Sequence, residues 1–325
     1  MDEILRIEGL RVSYRERDRI VRAVDGVDLA LRKGTTLAIV GESGCGKTTI
    51  ALSILNLLPA AGRIDAGRVL YGGRDVLELQ GDDLRRVRGR EISMIFQDPV
   101  SGLNPVMAIG AQVAEIVQAH FDVSRKESQQ MMLEALSRQA LPNPKRVAAS
   151  YPYQLSGGMC QRVMIAIATV LRPSVIIADE PTSALDVTVQ AAILHELDEL
   201  KRDLGASIIL ITHDLGVVAK MADDMAVMYA GRVVEQGATA DIYARPRHPY
   251  TAALLDARPR LDDPGRRLRN IPGTPPDLAE LSSDCAFLPR CSKAITVCRV
   301  SAWPPLSQVA PGHEAACFNP VYQPE

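Results

Sequence analysis

Hydrophobic and polar residues follow two different patterns in the first 60 residues. Ile4–Tyr14 alternates apolar and polar positions and Val24–Leu31 does the same, so both segments are predicted to be strands. Thr35–Val40 is mostly apolar, which predicts a buried strand, and Lys47–Leu58 has the pattern of a helix that Pro59 ends. A short polar segment therefore joins a buried strand to a helix.

The middle of the chain changes from strands to helices between Pro99 and Pro152. Ser124 and Glu127 have the spacing of a capping box, which predicts that a helix begins there. The other elements predicted in this part are the strands Arg68–Tyr71 and Ile92–Phe96 and the helices Val106–Ala119 and Leu155–Leu171.

Strand and helix patterns alternate after Pro173. The predicted elements are Val175–Ala178, Val187–Leu204, Ser207–Thr212, Leu215–Met221, and a hairpin of Met225–Tyr229 with Arg232–Gln236. Alternation of this kind is typical of a largely parallel α/β core, here with a helical insertion.

Composition and charge exclude several classes of protein. The 325 residues exceed the usual length of a single core, so we expect one large domain and a smaller one. The formal net charge of -2, with both signs interspersed, predicts no nucleic-acid partner. No apolar run approaches the ~20 residues that span a bilayer, and the N-terminus lacks a signal-peptide pattern. We expect a soluble, cytoplasmic chain that reaches a membrane only through a partner.

The segment GESGCGKT, Gly41 to Thr48, matches the phosphate loop G-x-x-x-x-G-K-[ST]. Its glycines let backbone N–H groups approach nucleotide phosphates, Lys47 is expected to reach the β and γ phosphates, and the Thr48 hydroxyl to bind Mg²⁺. The candidate nucleotide-binding residues here are Gly41, Ser43, Gly44, Cys45, Gly46, Lys47, Thr48 and Thr49. Cys45 is either a redox switch or a small filler at a variable position.

A second candidate element is VIIADEP, Val175 to Pro181. The apolar strand ends at Asp179, whose carboxylate is expected to hold Mg²⁺ in a phosphate-loop nucleotidase. Glu180 is the candidate general base that polarises the attacking water. The alternative interpretation is an ordinary strand end with two solvated acids.

The segment LSGGMCQRV, Leu155 to Val163, makes a family resemblance plain. The chain resembles the ATPase subunits of ATP-binding cassette (ABC) transporters, whose signature is LSGGQ. Four other positions resemble the family in the same order: Gln97 matches the Q-loop, Ser183–Asp186 (SALD) the D-loop, His213 the switch histidine, and Tyr14 the aromatic that stacks on adenine. Without the resemblance, His213 and Tyr14 are equally compatible with structural roles.

The resemblance implies a phosphate-loop α/β cassette with a RecA-like parallel-sheet core, an antiparallel β subdomain and a helical signature subdomain. It implies an ATPase domain at residues 1–258, with its helical subdomain at about 98–172, and a small Cys-rich C-terminal extension at 259–325. Catalysis would use Glu180, His213 and Gln97. Thr48, Gln97 and Asp179 would bind Mg²⁺, and Asp186 would contact the nucleotide.

Ser156, Gly157 and Gly158 open the predicted signature helix, where free N–H groups and the helix dipole favour a γ-phosphate. The resemblance implies that this phosphate belongs to a second cassette, a homologue or a copy, paired head to tail. Cys160 stands where similar proteins usually carry arginine. Its effect is left open between a weakened ATP site and a solvated position of no consequence.

Three longer segments resemble the ATPases of peptide and nickel importers: Met94–Val113, Ala178–Ala191 and Arg245–Leu255. The resemblance implies two transmembrane permease subunits, an extracytoplasmic solute-binding protein, and a peripheral position on the cytoplasmic face of the inner membrane. The expected cargo is a di- or oligopeptide, with nickel or another small solute as the alternative. A soluble ABC protein without transport is a further alternative, but such proteins usually carry two cassettes or long coiled-coil insertions.

Pro259, Pro264, Pro272, Pro275 and Pro276 predict an irregular linker, and four cysteines follow it: Cys285, Cys291, Cys298 and Cys317. Disulfides are rare in a cytoplasmic chain, and zinc sites favour closer cysteine pairs. A 4Fe–4S cluster accepts four cysteines at varied spacing. The tail also resembles that of peptide-importer ATPases, some of which carry a cluster. The sequence favours a 4Fe–4S cluster, with zinc and unliganded thiols as alternatives.

Overall fold

The structure is a computed structural model that describes residues 2–183, 186–257 and 270–321. Its strands are β1 Glu3–Glu16, β2 Arg19–Arg32, β3 Thr36–Val40, β4 Gly62–Tyr71, β5 Arg74–Asp75, β6 Ile92–Ile95, β7 Val175–Asp179, β8 Ser207–Thr212, β9 Asp224–Tyr229, β10 Arg232–Ala238, β11 Ser307–Ala310 and β12 His313–Ala315. Its helices are α1 Lys47–Ile54, α2 Gly81–Arg86, α3 Ile109–His120, α4 Arg125–Arg138, α5 Pro144–Ala149, α6 Gly157–Thr169, α7 Val187–Leu204, α8 Leu215–Met221, α9 Thr239–Ala244, α10 Pro249–Asp256 and α11 Thr296–Val300.

The predicted strand, loop and helix around residues 36–54 are confirmed, although α1 is shorter than predicted. It ends at Ile54 because Asn56 adopts a left-handed conformation with φ 50°, before Pro59 is reached. The capping box of α4 is confirmed: the Ser124 hydroxyl accepts from the Glu127 N–H, and the Glu127 carboxylate accepts from the Ser124 N–H. The 3.6-residue patterns missed the short helices α2, α5, α9, α10 and α11, each of eight residues or fewer.

The described residues fall into two compact units. The first contains residues 1–77 and 212–325, and the second contains residues 78–211. The predicted boundary between residues 258 and 259, together with Pro259 and Pro264, lies outside the described residues. The division into an ATPase domain and a C-terminal extension stays a prediction.

The first unit holds two groups of paired strands. An antiparallel sheet has the order β2-β1-β4-β5. In the second group β3 pairs parallel with β9, and β9 pairs antiparallel with β10 in the hairpin that the sequence predicted. The strand β12 extends this group because Glu235 and Gln236 of β10 pair with Ala315 and Glu314.

The core of the first unit joins these strands to the end of the chain. Tyr229 of β9 and Tyr250 of α10 are both almost fully buried, and the ring of Phe287 packs against both. Trp303 belongs to the same buried cluster. We call the described residues 270–321 the C-terminal tail. Phe287 and Trp303 of this tail are buried in the same core as residues of β3 and β9, which ties the tail to the strand that precedes the phosphate loop.

The second unit contains β6, β7 and most of β8, which pair in parallel in the order β6-β7-β8. Its helices α3 to α6 surround a separate apolar cluster that includes Ile109, Leu136 and Val163. Every residue of β7 is buried, so this strand presents functional groups only at its carboxyl end. Across the residues that the structure describes, no helix combines the length and hydropathy needed to span a bilayer.

Candidate nucleotide-binding site

The glycines of the phosphate loop lie against backbone that leaves no room for a side chain. A Cβ atom on Gly41 would be 2.3 Å from the carbonyl oxygen of Met228, and one on Gly46 would be 2.1 Å from that of Ala23. Gly46 also has φ 101°, a conformation that side chains disfavour. The loop is therefore pressed against β9 and β2, and only glycine fits at both positions.

Lys47 is the buried cation of this loop. It is 6% exposed, and its Nζ donates to the carbonyl oxygens of Gly41 at 2.8 Å and Glu42 at 3.0 Å. Ser43, Gly44 and Thr48 are exposed. The loop thus places a fixed ammonium behind an exposed rim that carries hydroxyl and backbone N–H groups, which suits a phosphate ligand.

Tyr14 lies beside the start of α1. Its hydroxyl is 3.2 Å from Oγ1 of Thr49, and its ring packs closely against Gly62, where an added Cβ would lie 2.7 Å from the ring. These contacts hold the tyrosine in the first unit next to a phosphate-loop residue. They are compatible with both roles that the sequence left open.

The second unit brings together Gln97 and Glu180. Nε2 of Gln97 donates to Oε2 of Glu180 at 3.3 Å. The Ser183 hydroxyl lies 2.8 Å from the Glu180 carbonyl oxygen and 3.1 Å from the same Oε2, so its single proton is shared between two acceptors. Glu180 follows directly after β7 and has φ 47°, a conformation that is uncommon for a residue with a side chain. Its backbone is held there because its N–H donates to the carbonyl of Ile211 at 2.8 Å. Asp179, the last residue of β7, is 1% exposed.

The signature segment forms the beginning of α6, as the sequence predicted. The Ser156 hydroxyl caps the helix by accepting from the Met159 N–H at 3.3 Å. Ser156 and Gly157 are exposed, and a Cβ on Gly157 would meet nothing within 4 Å. Gly158 instead faces Val189 of α7. The helix N-terminus is therefore accessible to an anion at Ser156 and Gly157.

Asp186 and His213 lie at the starts of two further helices. The Asp186 carboxylate caps α7 by accepting from the N–H groups of Thr188 and Val189 at 3.1 and 3.0 Å. Ala184 and Leu185, the centre of the predicted D-loop, lie outside the described residues. His213 is exposed between β8 and α8 and belongs to the first unit. The predicted site residues are thus distributed over both units.

Cys45 and Cys160 are buried, and burial raises the pKa of both thiols. The interpretation of Cys160 as a solvated position is wrong. It is 1% exposed, and its Sγ lies 3.6 Å from the carbonyl oxygen of Pro152. Position 160 faces inward because it falls on the side of α6 that packs into the helical core.

The four cysteines of the tail line one small cavity, together with His248, Phe287 and Lys293. All four are free thiols. Burial raises the pKa of Cys285, Cys291 and Cys317, and that of Cys317 reaches about 11. Among the residues described, no group of three or more His, Cys, Asp or Glu side chains has an arrangement that could hold a metal ion. The four thiols thus share one cavity and supply the donor type of a thiolate-bound cluster, but they do not converge as the ligands of a single metal ion do.

Two residues outside the predicted set contact the phosphate loop. The Tyr250 hydroxyl accepts from the N–H of Glu42, and the guanidinium of Arg290 pairs with the Glu42 carboxylate. Tyr250 lies within the segment Arg245–Leu255, but neither residue was among the predicted site residues. Arg290 lies between Cys285 and Cys291, so the tail sequence gives no sign of its contact with residue 42.

The parallel strand pairs, a loop that admits only glycine at two positions and its buried lysine define a phosphate-loop nucleotide-binding protein. Residues 24–183 match the family model of ABC transporters, and residues 234–298 match that of the oligopeptide/dipeptide transporter C-terminal region. The chain is 46% identical to the oligopeptide transport ATP-binding protein OppD of Escherichia coli, over 98% of this chain and 94% of that protein.

Another relative is the dipeptide transport ATP-binding protein DppD of Bacillus subtilis, which is 46% identical over 92% of this chain and 89% of that protein. Among solved structures, the dimeric ATP-binding cassette MJ0796 in a post-hydrolysis state, bound to ADP and Pi, is similar with a TM-score of 0.65. It is 28% identical and covers 72% of this chain and 98% of that chain. The chain belongs to the family of ABC transporter ATP-binding proteins, has the fold of their ATPase cassette, and is an ATPase of this class.

Proposed function

We propose that this chain is the ATP-hydrolysing subunit of an importer that carries di- or oligopeptides across the cytoplasmic membrane. The observation that carries this proposal is the match to oligopeptide and dipeptide transport proteins over nearly the whole chain, including their C-terminal region. The cargo distinguishes this proposal from the alternative, the same machinery importing nickel or another small solute.

In the proposed site, each of the residues named above has a separate role. Backbone N–H groups of residues 41–48 and the Lys47 ammonium hold the β and γ phosphates, and Tyr14 stacks on the adenine. Thr48, Asp179 and Gln97 are the residues that would hold Mg²⁺, which neutralises charge on the transferring phosphoryl group. Glu180 accepts a proton from the attacking water, and His213 contacts the γ-phosphate.

The contact between Gln97 and Glu180 supports this assignment of the base. A carboxylate that accepts a hydrogen bond from an amide, with a hydroxyl beside the same oxygen, has a preferred orientation. The exposed start of α6 would meet the γ-phosphate of a second cassette, a homologue or a copy of this chain. Ser156, Gly157 and Gly158 would make that contact, and Asp186 would also contact the nucleotide.

The proposed partners are the second ATPase subunit, two transmembrane permeases and an extracytoplasmic solute-binding protein. The chain would then lie peripherally on the cytoplasmic face of the inner membrane, held by the permeases. Closure and reopening of the two cassettes would drive the permeases between inward- and outward-facing states.

The proposal includes a 4Fe–4S cluster held by Cys285, Cys291, Cys298 and Cys317. Its support is that the four thiols share one cavity and match the thiolate donors of such clusters. A bound cluster would supply a cross-link within the tail, not a step in hydrolysis. Burial raises the pKa of the Cys285 and Cys317 thiols, so binding of a cluster would have to release their protons.

The proposal is tested by purifying the chain from detergent-solubilised native membranes and identifying the co-purifying proteins by mass spectrometry. Two multi-span permeases support an importer, and the accompanying binding protein is then titrated with peptides and with nickel. Peptide binding supports the proposed cargo, whereas binding of nickel alone selects the alternative. Recovery only with ribosomal or DNA-repair proteins would overturn the transport function and leave the ATPase intact.

A further inference from the structure

The guanidinium of Arg290 makes a paired contact with the phosphate loop. Nη1 donates to Oε2 of Glu42 at 2.7 Å and Nη2 donates to Oε1 at 2.9 Å, so each carboxylate oxygen has its own partner. The Arg290 side chain is 5% exposed. A paired contact of this kind fixes direction as well as distance, which a lysine at the same place could not do.

Arg290 is itself held by the tail and by β9. Its Nε donates to the carbonyl oxygen of Pro272 at 2.8 Å, and Nη1 also donates to the Tyr229 hydroxyl at 3.2 Å. The residue ends a 3₁₀ turn, Leu288–Arg290, that directly precedes Cys291. Its position is therefore set by the fold of the tail and does not depend on Glu42 alone.

Glu42 is held at all three of its polar groups. Its carboxylate binds Arg290, its N–H donates to the Tyr250 hydroxyl at 2.9 Å, and its carbonyl oxygen accepts from Nζ of Lys47 at 3.0 Å. The carbonyl and the carboxylate belong to one residue, so a shift of the side chain moves the atom that holds the lysine. Glu42 thus links Arg290 of the tail to Lys47 of the loop, because its carboxylate binds Arg290 and its carbonyl oxygen accepts from Lys47.

We propose that Arg290 is a positioning residue for ATP binding, which acts by holding Glu42 and through it the backbone and Lys47 of the phosphate loop. The inference rests on the proposed role of residues 41–48 in phosphate binding and extends it to the C-terminal tail. Loop N–H groups that are held in place before the nucleotide arrives bind its phosphates without an ordering cost. Loss of the contact should therefore weaken ATP binding and raise KM for ATP more than it lowers kcat.

The test compares ATP binding by the full chain and four variants, Arg290→Gln, Arg290→Lys, Glu42→Gln and the double variant Arg290→Gln/Glu42→Gln. Titration with a fluorescent ATP analogue measures Kd, and thermal unfolding of each variant measures its stability. Glu42→Gln keeps the size of the side chain and serves as the test if Arg290→Gln does not fold. Lys47→Ala tests the phosphate loop itself.

His313→Gln is the matched control. Nε2 of His313 lies 2.7 Å from Oε1 of Glu235, so this substitution also breaks a buried contact between the tail and β10, but one that does not touch the phosphate loop. A substitution that only lowers the stability of the tail should change ATP affinity as little as His313→Gln does.

We expect each single substitution at Arg290 or Glu42 to Gln to raise Kd by about 10-fold to 100-fold, the range that misplaced binding groups produce. The double variant should be no weaker than the worse single variant, because both act through one contact. Arg290→Lys should restore part of the affinity, and His313→Gln should bind ATP like the wild type.

Wild-type affinity in Arg290→Gln or Glu42→Gln, or losses that add in the double variant, would overturn the inference. Wild-type affinity in Lys47→Ala would instead refute the phosphate-loop assignment, and the inference with it. The two failures are therefore distinguishable in the same set of titrations.

Discussion

Gln97 and Glu180 are 83 residues apart in the chain, and the amide of one donates to the carboxylate of the other at 3.3 Å. The contact joins the end of β6 to the end of β7 in the second unit. It orients the carboxylate of the candidate base of the hydrolytic reaction.

Glu180→Gln should retain ATP binding and lower the rate of hydrolysis by about 100-fold to 10,000-fold, the usual contribution of a general base. The amide keeps the shape of the side chain but cannot accept the proton of the attacking water. Phosphate release under single-turnover conditions measures the rate, and ATP titration measures the affinity. Glu199→Gln, a change to a carboxylate on α7 that pairs with His195, is the control. Wild-type hydrolysis by Glu180→Gln would assign the base to another group.

Gly46→Ala should destabilise the first unit and abolish nucleotide binding. The added Cβ would lie 2.1 Å from the Ala23 carbonyl oxygen at φ 101°, so overlap and backbone strain together should lower the free energy of unfolding by about 2–5 kcal/mol. Gly34→Ala is the matched control, because its φ is 73° but its Cβ would meet nothing within 4 Å. The control should lose only about 1–2 kcal/mol from the left-handed backbone.

Urea unfolding of both alanine variants measures the difference. Equal losses of stability would mean that the phosphate loop can move away from β2, and that close packing does not explain the glycine at position 46.

His248 should contribute to acid unfolding. The side chain is fully buried as the cap of α10, where Nδ1 accepts from the Tyr250 N–H, and burial lowers the pKa of His248 to about 3. The unfolded chain takes up this proton below about pH 6.5 and the folded chain only near pH 3. The free energy of unfolding should therefore fall as the pH drops through this interval, by up to about 1.4 kcal/mol per pH unit from this residue.

His248→Asn keeps a capping oxygen and removes the titrating group, so its unfolding free energy should change less steeply between pH 6.5 and pH 3. Chemical denaturation at a series of pH values measures the slope. An unchanged slope in His248→Asn would show that folding does not lower the pKa of His248.

The proposed cluster predicts iron and sulfide in the chain after anaerobic purification, and a loss of both when Cys285, Cys291, Cys298 and Cys317 are changed to serine. Thiolates are the ligands of such clusters, and a serine hydroxyl replaces them poorly. Cys160→Ser should keep its iron, because Cys160 belongs to the helical core and not to the tail cavity. Zinc in place of iron, or chains without metal, would remove the cluster from the proposal.

Most elements could be predicted from the sequence, because their signals are local. The apolar run before Gly41 and the capping box at Ser124 specify a strand and a helix start within a few residues. The short helices α5 and α10 were missed because six or eight residues are too few to establish a helical period. The inward orientation of Cys160 was missed because a single thiol fits either face of a helix.

The sequence by itself determined the family and the candidate nucleotide-binding residues, because these are carried by short ordered motifs whose chemistry depends on residue type and spacing. Only the tertiary structure showed that Glu42 of the phosphate loop is held by Arg290, 248 residues away. That contact depends on how the tail packs against Tyr229 of β9, which both Arg290 and Phe287 of the tail contact. Packing between distant segments leaves no periodic or motif signal in the chain, since a single arginine in an irregular segment is equally suited to solvent.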